Sequence, residues 1–341
     1  MRGVMLHSQG DVRVEDREDP KITAPTDAII KVTAACVCGT DLWPYRGIIG
    51  EGRGPTPMGH EFVGVVEEIG AEVRTVKPGD FVVGPFMASD GTCEICQAGY
   101  ESRCANVRSM GSIGTQAERT LVPWADGTLL ATSGMPDADL IPSLLTASDV
   151  LGTGWFAADA AAVAPGKTVV VVGDGAVGLL GVLSAREFGA ERIIVMSRHE
   201  PRQQLAKEFG ATDIVEERGA EGVERIKEMT NGYGAHSVIE AVGTQESMEQ
   251  AIRSTRPGGH VGFVGVGHGV MLDGRELFTS TVHLHGGPAP VRHYLPDLIE
   301  RIMSRKINPG KVFDLTLPLE QAAEGYRAMD ERRAIKSLLT I

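Results

Sequence analysis

Two groups of residues in this chain have the types and spacing that chemistry needs. The first is Gly173-Asp174-Gly175-Ala176-Val177-Gly178, a G-x-G-x-x-G run. In such a run the first Gly permits a tight turn, the second lets the backbone approach a pyrophosphate, and the third allows close helix–strand packing. A helix opening there would turn its positive N-terminus toward the phosphates. The second group is the set of five cysteines, Cys36, Cys38, Cys93, Cys96 and Cys104. An odd, clustered set in a cytoplasmic chain reads as metal ligands more readily than as disulfides. Two short motifs accompany them, Cys38-Gly39-Thr40-Asp41 and Gly59-His60-Glu61. Taken singly, Cys38 is equally a small buried hydrophobe and His60 a satisfied core histidine.

These groups need elements to hold them. Residues 168–172 are a continuous β-branched run, as expected of a strand buried on both faces. The Gly-rich run follows it and leads into an apolar helix to about Phe188, the setting that a dinucleotide loop requires. A second strand at 192–196, a helix at 201–209, a strand at 237–240, a helix at 246–254 and a strand at 260–264 come next. Strands alternating with helices imply a parallel, doubly wound sheet. The first ~140 residues are instead cut by Gly and Pro into short β-rich runs, with strands expected at 28–32, 62–66 and 81–83. After Pro288 the chain returns to a helix at 294–304 and a last strand at 337–341. The expected organisation is an α/β chain: residues 149–288 a dinucleotide-binding domain, residues 1–148 with 289–341 a β-rich domain.

The end of the second strand bears on the nucleotide. NAD enzymes place an acid there, about 20 residues beyond the loop, to hold the ribose 2′-OH. This chain reads Val195-Met196-Ser197-Arg198-His199, with Arg202 beyond. Ser197 can donate to a 2′-phosphate, and Arg198 and Arg202 can pair with it. The pattern favours NADP(H), with NAD(H) the alternative.

Composition narrows the partners. Lys plus Arg is 33 and Asp plus Glu is 45, a net charge of −12. That balance argues against nucleic acid or an anionic membrane as the main partner. No segment approaches the ~18 uninterrupted apolar residues of a membrane span, and the first residues lack the apolar core of a signal peptide. A cytoplasmic protein acting on a small molecule is the expectation.

Taken together, the Gly-rich loop and the Cys38 and His60 motifs resemble the zinc-dependent medium-chain dehydrogenases/reductases, the alcohol dehydrogenase family. The resemblance runs through the chain to the closing Ile335-Lys336-Ser337-Leu338-Leu339-Thr340-Ile341. It implies a GroES-like catalytic domain and a Rossmann domain. It implies that Cys38, His60 and Asp149 bind a catalytic zinc, Asp149 standing ahead of Thr153-Gly154 where the family places a Cys or an acid. This set matches bacterial secondary-alcohol dehydrogenases; a plain helix N-cap is the other reading of Asp149. Glu61 resembles the acid that can approach the metal when its fourth position changes hands. Asp41 suits the acceptor that fixes the His60 ring. Thr40 resembles the hydroxyl that takes the proton of a zinc-bound alcohol. The family's relay histidine falls on Trp43, so that relay must end differently. Further cofactor contacts are implied at Ala176 and Val177 in the loop, at Thr153 and at Lys336.

The same resemblance implies a structural zinc. The family pattern C-x₂-C-x₂-C-x₇-C appears as Asp90, Cys93, Cys96 and Cys104. A carboxylate oxygen can ligate zinc, so a Cys₃Asp site is expected; an empty lobe of reduced thiols is the alternative. Cys36 has no matching partner and reads as core. Trp43, Tyr45, Phe86 and Trp155 are candidate walls of a substrate pocket, or core aromatics. The implied reaction is hydride transfer between a nicotinamide and an alcohol, aldehyde or ketone, in a homodimer or homotetramer. A formaldehyde-type dehydrogenase or dismutase shares these motifs. A zinc-free quinone or enoyl reductase leaves Cys38, His60 and Asp149 unexplained. A non-catalytic dinucleotide sensor leaves Thr40 unexplained.

Overall fold

Val169, Val170, Val171 and Val172 are all buried along the strand Thr168–Val172. A strand with apolar side chains on both faces needs cover on both faces, which a parallel sheet supplies. In the computed structural model, which describes residues 1–49 and 55–341, this strand is central to a six-stranded sheet. The chain forms two compact units, Val150–Ala289 being one and Met1–Asp149 with Pro290–Ile341 the other.

The sheet of the Val150–Ala289 unit runs Asp213–Val215, Arg192–Met196, Thr168–Val172, Ala235–Glu240, Thr255–Phe263, His283–Gly286. In chain order these are the third, second, first, fourth, fifth and sixth strands, and every pairing is parallel. This is the dinucleotide-binding order, whose switch point lies at the carboxyl end of the first strand. Helices Ala176–Glu187, Glu200–Phe209 and Gln245–Ser254 occupy the expected stretches. Pro201 sits in the first turn of its helix, where its missing N–H costs no bond. Val170, Ile194, Val238 and Val261 from four adjacent strands share one buried cluster. The fifth strand starts at Thr255, earlier than the apolar run suggests. Pairing of its outer end with Ala235 involves a register shift, and Pro257-Gly258-Gly259 carries no periodic signal.

The other unit is mostly β. Its largest sheet is organised around Ala28–Cys36, which pairs with Phe62–Ile69 on one side and with Ser337–Thr340 on the other. The registers Ala35↔Phe62 and Cys36↔Leu338 place the ends of these neighbours beside Val37 and Cys38. Glu61, just before one neighbour, and Lys336, just before the other, are thereby brought to the same end of the sheet. Ile30, Phe62, Val82, Val122 and Leu129 form the core beneath. Truncating a ring such as Phe62 in that setting costs about 3–5 kcal/mol. The hairpin Arg2–Ser8 and Asp11–Asp16 forms a separate small sheet with Thr56–Pro57, and the helix Ala322–Asp330 packs against it. The helix Val291–Met303 begins earlier than its periodicity indicates, with Pro296 near its start. Among the described residues no helix is long and apolar enough to cross a membrane.

Candidate functional site

The turn Gly39–Asp41 follows Cys38 and fixes the first motif. Asp41 Oδ2 accepts the Cys38 N–H at 3.0 Å, folding the acid back beneath the cysteine. The other oxygen of Asp41 lies 3.2 Å from His60 Nδ1. The His60 ring is thus held by one nitrogen, leaving Nε2 to face Asp149 Oδ2 at 3.2 Å. Cys38 Sγ stands 3.7 Å from that same oxygen. Asp149 follows the helix Ile141–Ala147 and is buried. Its carboxylate is turned to Cys38 and His60, and it directly precedes the helix Val150–Ala160. Ligand atoms of Cys38, His60, Glu61 and Asp149 all lie within 4.8 Å of one another.

This donor set fits zinc. A thiolate, an imidazole and a carboxylate are zinc ligands, and a second contact on the imidazole is the usual support for a ligating His. Glu61 Oε2 is buried without a hydrogen-bond partner, while its Oε1 accepts from Lys336 Nζ at 2.7 Å. The site also concentrates negative charge. Burial lowers the His60 pKa, but the Asp41 and Cys38 charges and the bonds to Asp149 and Asp41 more than offset it, holding the ring well above its ordinary range. A cation at the centre satisfies the same negative groups.

Thr40, Asp41, Trp43 and His60 line one cavity of about 980 Å³ with Leu6, His7, Met58 and Ser109. Phe86 stands edge-on to the His60 ring at 6.3 Å. Two expected pocket aromatics stand elsewhere. Tyr45 packs on Tyr326, ring centroids 5.5 Å apart, in a core cluster with Val37 and Leu42. Trp155 is buried against Phe188 at 4.9 Å, inside the dinucleotide-binding unit.

The second cysteine cluster also converges. Ligand atoms of Asp90, Cys93, Cys96 and Cys104 lie within 4.8 Å of one another. Asp90 Oδ1 accepts the N–H groups of Thr92 at 2.8 Å and Cys93 at 3.0 Å, and it faces Cys96 Sγ at 3.5 Å. Asn106 holds the other oxygen at 2.8 Å. Burial raises the Asp90 pKa; these donors outweigh it and keep the carboxyl well below its ordinary range. Cys36 is buried in the core, as expected.

Gly173 has φ of +118° at the end of the strand Thr168–Val172, and Gly175 caps the helix Ala176–Glu187. A Cβ on Gly178 would lie 2.0 Å from the Gly173 carbonyl, so only glycine closes this loop. A Cβ on Gly175 would meet nothing within 4 Å, which leaves its face open for a pyrophosphate. Ala176 and Val177 are in the first turn of that helix, and Thr153 is half-buried on the helix Val150–Ala160. Lys336, expected at the cofactor, is 1% exposed, and its ammonium is turned inward to Glu61 and the Val37 carbonyl.

At the end of the second strand the expected polar groups are engaged with an acid from the loop. Ser197 Oγ donates to Asp174 Oδ2 at 2.8 Å, and Arg202 pairs with Asp174 Oδ1 at 3.2 Å. Arg198 Nε donates to the Glu216 carbonyl at 2.7 Å. An acid does stand at the strand end, supplied by the glycine-rich loop. Asp174 lay within the motif, but spacing does not tell which way a loop side chain turns. Gln116 and Tyr326, which support Asp41 from behind, were also missed, and no local pattern marks them.

A parallel dinucleotide-binding sheet and a thiolate–imidazole–carboxylate cluster in one chain define a zinc-dependent dehydrogenase. The comparisons agree. Residues 24–133 match the alcohol dehydrogenase GroES-like domain, and residues 176–303 match the zinc-binding dehydrogenase domain. Zinc-type alcohol dehydrogenase B of Aspergillus flavus is 35% identical over 348 residues, covering 98% of this chain and 80% of that protein. The alcohol dehydrogenase of a Thermus species superposes with a TM-score of 0.90 at 30% identity, covering 100% of this chain and 99% of that one. A Sinorhizobium meliloti zinc-binding dehydrogenase solved with NADP superposes with a TM-score of 0.84 at 26% identity, covering 100% and 99%. The chain belongs to the zinc-dependent medium-chain alcohol dehydrogenase family and is an oxidoreductase. Zinc and a nicotinamide dinucleotide are its cofactors.

Proposed function

We propose that the chain interconverts a small alcohol with its aldehyde or ketone, using zinc held by Cys38, His60 and Asp149. The observation that carries this reading is the convergence of those three residues at a cavity wall shared by His60 and Thr40. Zinc supplies a Lewis acid for a carbonyl or alkoxide oxygen, and the nicotinamide supplies or takes the hydride. The residues do the remainder. Asp41 holds the His60 ring by Nδ1 and so fixes which nitrogen faces the metal. Lys336 holds one Glu61 oxygen, the other is buried without a hydrogen-bond partner, and the Glu61 carboxylate lies in one cluster with Cys38, His60 and Asp149. Thr40 Oγ1 would take the alcohol proton while its own hydroxyl proton passes to water in the cavity. Trp43 lines the same cavity, but an indole N–H only donates, so it does not accept that proton onward.

Asp90, Cys93, Cys96 and Cys104 hold a second, structural zinc. Their donor atoms close on one another and leave no position for substrate. NADP(H) is the preferred cofactor in this reading. Ser197, Arg198 and Arg202 gather at the strand end, and the NADP-bound Sinorhizobium relative lends support. NAD(H) is the second reading, favoured by the Asp174 carboxylate in the same place. A homodimer or homotetramer in the cytoplasm accompanies the assignment by family resemblance.

The test is zinc analysis followed by NADPH and NADH oxidation with a panel of aldehydes and ketones that includes formaldehyde. Zinc-dependent turnover of at least one carbonyl is expected. Turnover undiminished in zinc-free protein, or none with zinc-loaded protein across the panel, would overturn the reading. Formaldehyde as sole substrate would reassign it to the formaldehyde-type enzymes.

A further inference from the structure

The carboxylate that an NAD site places at the end of its second strand is absent from the strand, yet a carboxylate occupies the position. Asp174 is only 9% exposed. Its Oδ2 accepts from Ser197 Oγ at 2.8 Å, and Ser197 is 1% exposed. Arg202 Nη1 lies 3.2 Å from Asp174 Oδ1 and 3.3 Å from its carbonyl. Gln203 Nε2 holds the Ser197 carbonyl at 2.9 Å and Glu216 Oε1 at 3.0 Å, which braces the strand end against the following loop.

A hydroxyl has one hydrogen. While Ser197 gives it to Asp174, the oxygen can only accept. A ribose 2′-OH can donate to such an oxygen or to the carboxylate itself. A 2′-phosphate brings only acceptors and negative charge, so it must draw Ser197 and Arg202 away from Asp174 and lie near an anion. We infer that Asp174 is a specificity-determining residue of the cofactor site: it holds the Ser197 proton and the Arg202 charge, and so weighs against the 2′-phosphate in favour of the 2′-hydroxyl. This rests on the dinucleotide reading above. Arg198 and Arg202 pull toward the phosphate, and Asp174 sets how far the balance moves.

A plain structural role, tying the loop to the strand, would weaken both cofactors alike. The test therefore reads a ratio. NADPH and NADH are titrated by fluorescence into zinc-loaded wild type, Asp174→Asn and Asp174→Ser, and kcat/KM is measured for both. Asn keeps the shape and an acceptor for Ser197 without the charge; Ser keeps a smaller oxygen, so either variant carries the comparison if the other does not fold. Expected is a shift of the Kd ratio toward NADPH by about tenfold to a hundredfold, the span of one charge-assisted hydrogen bond. Both nucleotides binding with a ratio within about twofold of wild type would overturn the inference. Wild type binding neither nucleotide would overturn the dinucleotide reading and the inference with it.

Discussion

Tyr326 donates its phenol O–H to Gln116 Oε1 at 2.9 Å, although 210 residues separate them in sequence. Gln116 in turn gives its amide to Asp41 Oδ2 at 3.2 Å and to the Cys36 carbonyl at 2.9 Å. Both side chains are fully buried. The chain Tyr326–Gln116–Asp41–His60 therefore runs from the core to the proposed zinc ligand His60 with each member supported. Tyr326→Phe strands a buried acceptor and is expected to cost about 1–3 kcal/mol in urea unfolding. Gln116→Leu loosens Asp41 as well, and zinc affinity measured by chelator competition is expected to fall by about tenfold or more. Unchanged zinc affinity in folded Gln116→Leu would show that Asp41 needs no support from behind.

Asp90→Ala removes the only carboxylate from the lobe cluster. The variant is expected to lose the lobe zinc and to melt at lower temperature, while kcat per catalytic zinc stays close to wild type, because the two clusters share no ligand. Calorimetry with metal analysis reads both effects. A variant that keeps all its zinc and its melting temperature would remove Asp90 from the site.

Asp126 gives a pH prediction away from either metal. Burial raises its pKa, but the N–H groups of Thr75 and Arg74 and the Thr75 hydroxyl outweigh that and hold it below the usual carboxylate range. The bonds are 2.9 Å to each N–H and 2.8 Å to the hydroxyl. A depressed folded pKa adds stability above the unfolded value of about 4, lost as pH falls through the folded value. Wild type should therefore exceed Asp126→Ala by about 1–2 kcal/mol at both pH 7 and pH 5, and the gap should narrow below about pH 4. A gap that stays constant down to pH 3 in urea titrations would remove the ionised carboxylate as its cause.

Ser197→Asp adds a second carboxylate beside Asp174. It is expected to lower the NADPH to NADH ratio of kcat/KM by about one to two decades. An unchanged ratio would place the 2′ group away from Ser197.

Much of the dinucleotide-binding unit was legible because its signals are local. The valine run 168–172 and the glycine-rich loop carry their reasons within a few residues. The metal site was legible only in part. Cys38 and His60 sit in short motifs, but Asp149 lies 111 residues from Cys38, and only resemblance pointed to it. Side-chain direction was the weak link. Composition does not say which face of a loop or helix meets the core, so it does not fix the direction of Asp174 or decide between pocket wall and core for Tyr45 and Trp155. Their packing against Tyr326 and Phe188 is decided by segments distant in the chain or by the turn of a helix. The hairpin Arg2–Ser8 with Asp11–Asp16 has no clear periodic signal in the sequence.

The central claim is that Asp149 completes the catalytic zinc site with Cys38 and His60, and the zinc content of Asp149→Ala tests it most directly. The account predicts about one zinc equivalent fewer per chain than wild type, with turnover lost and NADPH binding retained, since the nucleotide loop is a separate structure. Asp149→Ala protein that keeps the full zinc content and full activity would contradict it.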